Sequence, residues 1–268
     1  AIASGVVHNV ADDIALLADI RTYLSFFGSS AWERPPSVDT GDTGPRRLDD
    51  LLDIVPRDGN AAYDMRLAIS ALVDGGGFFQ VQPDFGSSIV CALARIGGES
   101  IGIIANQPSV IAGSIDVDAA DKAAHFIQVC DSFHLPLVFL ADNPGVLAGQ
   151  ASERAGILRA GARMFAAQTR AQTVKVHVTL RKAYGFGSSV MAMNPYDEQT
   201  LSFGFPGATL GAMGASGAGN AVGADEATRA ELHQAENESS YRSANGLSFD
   251  DLIDPRDLRN VVIESLAV

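Results

Sequence analysis

A chain of 268 residues, 47% hydrophobic and with 27 glycines, has apolar content for one large α/β domain, or for one domain with an appendage. Its formal net charge of −13 argues against a broad nucleic-acid surface, and no apolar run approaches the roughly 18–20 residues of a membrane span. The two cysteines, Cys91 and Cys130, sit in apolar segments without metal-ligand or disulfide-framework spacing, which predicts reduced thiols, a cytoplasmic protein and no metal site.

The opening residues AIASGVVHNVADD are neither a signal nor a transit peptide, and the missing initiator methionine points to a processed chain or a fragment. Ile14, Leu16, Leu17, Ile20, Tyr23 and Leu24 share one face and predict a helix from about Asp12 to Phe26. Residues 28–60, rich in Pro, Gly, Asp and Ser, read as a linker or as an extended loop wrapping over a domain. Trp32, the only tryptophan, is read as a packing anchor. Asp64 stands where an N-cap belongs for a helix ending near Leu72. Gly75, Gly76 and Gly77 follow that helix instead of opening one, so they read as its C-cap and turn, not as a phosphate cradle.

Two β-rich runs, Ser88–Ile96 and Glu99–Asn106, joined by Gly97-Gly98, form a hairpin signal. A helix follows at about Ala119–Phe133, then a strand, Leu135–Asp142, that runs into Asn143-Pro144-Gly145. One long helix is expected over Glu153–Thr169, with Gly156, Ala160 and Gly161 as a small-residue face suited to close packing against a neighbour. Beyond it lies VKVHVTLRKAYGFGSSVMAM (Val174–Met193), read as a buried strand ending in Arg181-Lys182, a turn at Gly185-Phe186-Gly187 and a helix start. Strand, glycine turn and helix start aim free backbone N–H groups at one spot, where an anion or a developing oxyanion is held; the same pattern also serves as a plain strand-to-helix turn. Ser202–Gly219 reads as a short strand and a glycine/alanine segment, Asp225–Ala235 as an acidic helix. Strands alternating with helices, with Gly or Pro loops at strand ends, predict an α/β fold.

The side chains give no nucleophilic triad. Of the five histidines, His8, His125, His134, His177 and His233, none lies in a motif, and packing or surface roles are assigned to them. Asp142 and Glu153 are candidates for an acid–base pair, but Asp142 reads as a turn former and Glu153 as a helix-start charge. Arg181 and Lys182 are either a solvated pair or contacts to an anion.

Ordered stretches carry a resemblance: YDMR (Tyr63–Arg66), VQPDFG (Val81–Gly86), GIIANQP (Gly102–Pro108) and GSIDVDAADKAAHFIQVCDSFHLPL (Gly113–Leu137). DNPGVLAGQASERAGILRAGA (Asp142–Ala162), RKAYGFGSS (Arg181–Ser189) and DLIDPRDLR (Asp251–Arg259) continue it. The chain resembles the C-terminal half of biotin-dependent acyl-CoA carboxyltransferases, the family of propionyl-CoA and acetyl-CoA carboxylase β subunits. The resemblance implies a crotonase/ClpP-like spiral of ββα units, with residues 1–60 as the tail of a preceding half plus linker and 61–268 as the carboxyltransferase C-terminal domain.

It also implies an activity, transfer of CO2 from carboxybiotin to the α-carbon of an acyl-CoA, and partners, a biotin carboxylase and biotin carboxyl carrier subunit. Self-association into a homo-oligomer built on dimers is expected, with the active site between halves of different subunits. Carried over by position, the biotin-side oxyanion hole falls on the amides of Phe186 and Gly187, where the family usually carries Gly-Ala. Gly145, Gly149 and Gly185 fall at the biotin wall, and Ser189 stands where short-chain carboxylases often carry an acid, which leaves acyl preference open. The same motifs suit a biotin-dependent acyl-CoA decarboxylase, or a non-catalytic half that docks biotin and supports assembly.

Overall fold

The computed structural model describes residues 4–193 and 200–267. Helix α1 (Asp13–Leu24) starts where Asp12 accepts from the N–H groups of Ile14 and Ala15, but none of its 12 residues is buried. Residues 28–60 are no free linker. They run along the domain to a short turn of helix, α2 (Leu51–Ile54), and bury Leu48 and Leu51 in its core. Trp32, expected to anchor packing, is 96% exposed. Helix α3 (Met65–Leu72) has Asp64 as N-cap, and the predicted turn follows as a single 3-10 turn, Asp74–Gly76.

Strand β1 (Phe78–Val81), which no sequence signal marked, pairs antiparallel with β2 (Ile89–Ile96). β2 pairs antiparallel with β3 (Glu99–Asn106) across Gly97 and Gly98, both at positive φ. Helix α4 (Val117–Ser132), capped by Asp116, leads to β4 (Leu137–Asn143). The single helix expected over Glu153–Thr169 is two, α5 (Gln150–Ala155) and α6 (Ile157–Arg170). Gly156 adopts φ 93° between them and cannot continue a right-handed helix. Strand β5 (Lys175–Tyr184) extends past Lys182, and α7 (Phe186–Val190) begins one residue after its turn glycine.

The remainder is β6 (Thr200–Gly204), β7 (Thr209–Gly211), α8 (Ala215–Ala221), α9 (Glu226–Asn237), α10 (Ser239–Asn245), β8 (Asp251–Leu252) and α11 (Leu258–Leu266). The sheet runs β1-β2-β3-β4-β5-β6-β8, with β7 also on β5, and every pairing from β3 onward is parallel. β4 is buried at all seven positions, as a parallel strand covered on both faces must be. One core packs α4 and α6 (Phe126, Ile127, Met164) against Cys91, Leu93 and Phe139; the other packs α3 and α11 (Ile69, Leu72, Val262) against Ala92, Ile103 and Val138. Each fully buried Ile, Leu or Phe contributes roughly 1.5–3 kcal/mol, so this double-sided burial fixes the strand ends from which the loops spring.

Candidate active site

The carboxyl ends of β4, β5 and β7 converge, the usual place for a site in a parallel sheet. Gly185 continues the ladder by donating its N–H to Gly211 O at 2.8 Å, then turns the chain with φ 54° and ψ −139°. A Cβ there would meet Ala212 O at 2.9 Å, so only glycine makes this turn. Phe186 and Gly187 are the first two residues of α7, and neither N–H finds an acceptor among the described residues.

Gly187 is buried, and a Cβ on it would stand 2.6 Å from Gly145 Cα and collide with Asn143 Oδ1. Gly145, at φ 120°, lies directly beside it, with its N–H on Asn143 Oδ1 (2.9 Å) and its carbonyl taking Ile115 N–H (3.2 Å). Gly149, at φ 117°, is exposed at the far end of the same loop with open space around it. Among the predicted glycines, 145, 185 and 187 are thus brought together, and 149 is not packed against them.

Phe186 is 37% exposed, its ring inclined against Phe165 with centroids 5.8 Å apart. Gly161 makes room for it, since a Cβ there would stand 2.9 Å from Phe186 Cε1. Ala160 is fully buried and Gly161 packs on Phe186, so the close packing expected of this small-residue face is met within the chain.

Arg181, expected as a solvated or anion-binding cation, is not solvated. Its side chain is 7% exposed; Nε donates to Asp142 Oδ2 at 2.6 Å and Nη1 to the carbonyls of Asp58 (2.6 Å) and Ala61 (2.8 Å). Lys182 Nζ donates to Gly59 O at 2.8 Å. Both cations hold residues 56–61 against the sheet. Asp142 is correspondingly no turn former: it is fully buried and also accepts from Tyr63 Oη at 2.9 Å. Burial pushes its carboxyl up and Arg181 pulls it back only in part, while burial and then Asp142 push the Tyr63 phenol well up. Glu153 is exposed on α5, so the two carboxylates form no acid–base pair.

The sequence model of the carboxyl transferase domain matches residues 1–268. The chain belongs to the carboxyl transferase family. It is 38% identical over 270 residues to the methylmalonyl-CoA decarboxylase subunit alpha of Veillonella parvula, covering 99% of this chain and 53% of that protein. It is 39% identical over 276 residues to the methylmalonyl-CoA carboxyltransferase 12S subunit of Propionibacterium freudenreichii subsp. shermanii, covering 98% and 52%. The solved transcarboxylase 12S hexamer with hydrolysed methylmalonyl-coenzyme A superposes at a TM-score of 0.92 and 39% identity, over 99% of this chain and 53% of that one. The fold is therefore the crotonase-like α/β fold of that enzyme, and the chain spans about half the length of the curated relatives it matches. Among the described residues no helix is long and apolar enough to cross a membrane.

Two positions distinguish this member of the carboxyl transferase family from the pattern expected of it. Where an alanine was expected, the wall beneath Gly187 has no room for its methyl group. Where a small residue was expected, Phe186 covers α6. Several residues of this region carry no sequence motif of their own. Asn106 and Asn143 are fully buried at strand ends and bonded to each other at 3.0 Å; an asparagine closing an apolar strand was the available signal. Glu236 accepts from Tyr184 Oη (2.6 Å) and Ala215 N (2.9 Å), so α8 and α9 are fastened to the end of β5.

Proposed function

We propose that this chain is the biotin-side half of an acyl-CoA carboxyltransferase, which moves CO2 from carboxybiotin to the α-carbon of an acyl-CoA. The observation that carries the reading is the pair of amides of Phe186 and Gly187, without an acceptor among the described residues, at the end of a parallel strand in a chain of the carboxyl transferase family. Two N–H donors fixed in place by Gly185 suit an oxygen on which negative charge develops. Biotin, borne by the carrier subunit of a partner biotin carboxylase, would supply the carboxyl group, and its ureido oxygen gathers charge as that group leaves. Gly145 and Gly185 would line the wall beside the amides, where the absence of side chains permits close approach, and Gly149 the outer rim. Arg181 and Lys182 would support the site by holding residues 56–61. The acyl-CoA would sit mainly on the homologous half that relatives of twice this length possess, in a homo-oligomer built on dimers.

A second reading has an observation of its own: the Veillonella parvula relative is named a decarboxylase subunit, and decarboxylation runs the same half-reaction in reverse. The third, a docking and assembly half without catalysis, is separated from both by one substitution. Phe186→Pro deletes one amide donor at a first helical position, where proline is well tolerated, and it avoids the collision that any Cβ at Gly187 brings. In the full-length enzyme kcat is expected to fall on the order of a hundred- to a thousandfold, with KM for acyl-CoA nearly unchanged. Phe186→Ala, which keeps both amides, should be tolerated. Near-normal turnover of a folded Phe186→Pro enzyme overturns the reading.

A further inference from the structure

We infer that Asn143 is a positioning residue for the Phe186–Gly187 amides, an inference that rests on the reading above. Asn143 ends β4 with its side chain wholly buried, so both ends of its amide must be satisfied within the protein. Oδ1 accepts from Gly145 N at 2.9 Å and Nδ2 donates to Asn106 Oδ1 at 3.0 Å. Asn106 Oδ1 also takes the Asp142 N–H at 3.1 Å, and Asn106 Nδ2 donates to Gly113 O at 3.3 Å. This chain of bonds permits one orientation only. A flipped Asn143 amide would set Nδ2 against the Gly145 N–H and oxygen against oxygen at Asn106.

Oδ1 is thereby fixed, and its other side occupies the space that a Cβ on Gly187 would need. Oδ1 thus holds Gly145 through its N–H and, together with Gly145 Cα, limits how deeply Gly187 packs. The depth of Gly187 sets the direction of its N–H, and that of Phe186 before it. A displacement of about 1 Å in such a group can cost a hundredfold in rate. Asn143 touches no reacting atom; it acts through the two glycines.

The experiment is a double-mutant cycle in the full-length enzyme, with melting temperature read beside kcat and KM. Asn143→Ala is expected to lower kcat about tenfold or more with KM for acyl-CoA within about twofold, because binding on the other half is untouched. Gly187→Ala alone should lower kcat about a hundredfold through the collision with Oδ1 and with the Gly145 backbone that Oδ1 holds in place. Combined with Asn143→Ala, which removes that oxygen and frees Gly145 to shift, it should recover at least about tenfold over Gly187→Ala alone. Unchanged kcat in Asn143→Ala, a parallel shift of kcat and KM, or single effects that simply multiply would overturn the inference. If Gly187→Ala does not fold, the double variant decides: it folds and turns over if the two side chains compete for one space, and stays unfolded if they do not. Normal turnover of Phe186→Pro sinks the amide reading itself, whereas coupling in melting temperature between positions 143 and 187 is independent of that outcome.

Discussion

His177 lies in the middle of β5 with no exposure, and the partners of its two ring nitrogens fix the tautomer of its neutral form. Met191 O, 2.7 Å from Nδ1, can only accept, so Nδ1 carries the hydrogen and Nε2 accepts from Thr179 Oγ1 at 2.8 Å. Burial depresses its pKa from the ordinary 6.5 to about 4, the bond to Met191 O offsetting only part of that cost. Above about pH 6.5 the residue is neutral in folded and unfolded chains alike. As pH falls from 6.5 towards 4, the unfolded chain binds a proton that the folded chain refuses, and stability declines by up to on the order of 3 kcal/mol. His177→Gln retains a donor and an acceptor without titrating, so its melting temperature should fall less steeply with acidification across that window. Parallel curves for variant and parent would refute this assignment. The consequence reaches the candidate site, because Met191 immediately follows α7, the helix that begins with Phe186.

At the scale of elements, the domain is closed by a buried pair. Arg259 on α11 and Asp74, in the turn after α3, meet at 2.7 Å with side chains 0% and 1% exposed. Asp74 also accepts from Gly97 N, Gly98 N and Thr40 Oγ1, while Arg259 donates to Leu72 O and Gly44 O. One ion pair therefore joins the hairpin tip, the 40–44 segment, the end of α3 and the last helix. Arg259→Ala would leave Asp74 charged and unpaired in the interior, and chemical denaturation should register a loss of about 3–5 kcal/mol. Pairing it with Asp74→Asn should restore part of that loss; a single variant within 1 kcal/mol of the parent on the same measurement would contradict the role assigned here. Helix α1 is the opposite case: Ile14, Leu17 and Leu24 are 85%, 58% and 60% exposed, and nothing among the described residues covers them.

On the scale of the whole molecule, the chain spans about half of the relatives it matches, and the proposed reaction needs a second carbonyl-binding site for the thioester. The isolated 268-residue chain is therefore expected not to incorporate labelled carboxyl into acyl-CoA, and a protein carrying both halves should do so. Turnover by the isolated chain would show that one half suffices. The hexamer described for transcarboxylase 12S makes the size of the protein carrying both halves, by sedimentation or light scattering, the natural companion measurement.

The features legible in the residues alone were local in character. Gly97-Gly98 announced the hairpin, Asp64 the start of α3, and Gly185 the turn after β5, because caps and positive-φ turns depend on the residue and its immediate neighbours. The family resemblance was equally legible, being written in ordered motifs, and the match over residues 1–268 agrees with it. Tertiary structure alone decided the rest. Arg181 and Lys182 look like free cations in a list of residues, yet their partners at 56–61 lie about 120 residues away in the chain and become neighbours only when the sheet forms. Gly156 had to be seen at positive φ before one expected helix became two. The crowding of Gly187 by Asn143 likewise has no sequence signature, since the two residues, 44 apart in the chain, meet only because the ladder between β4 and β5 brings the ends of those strands together.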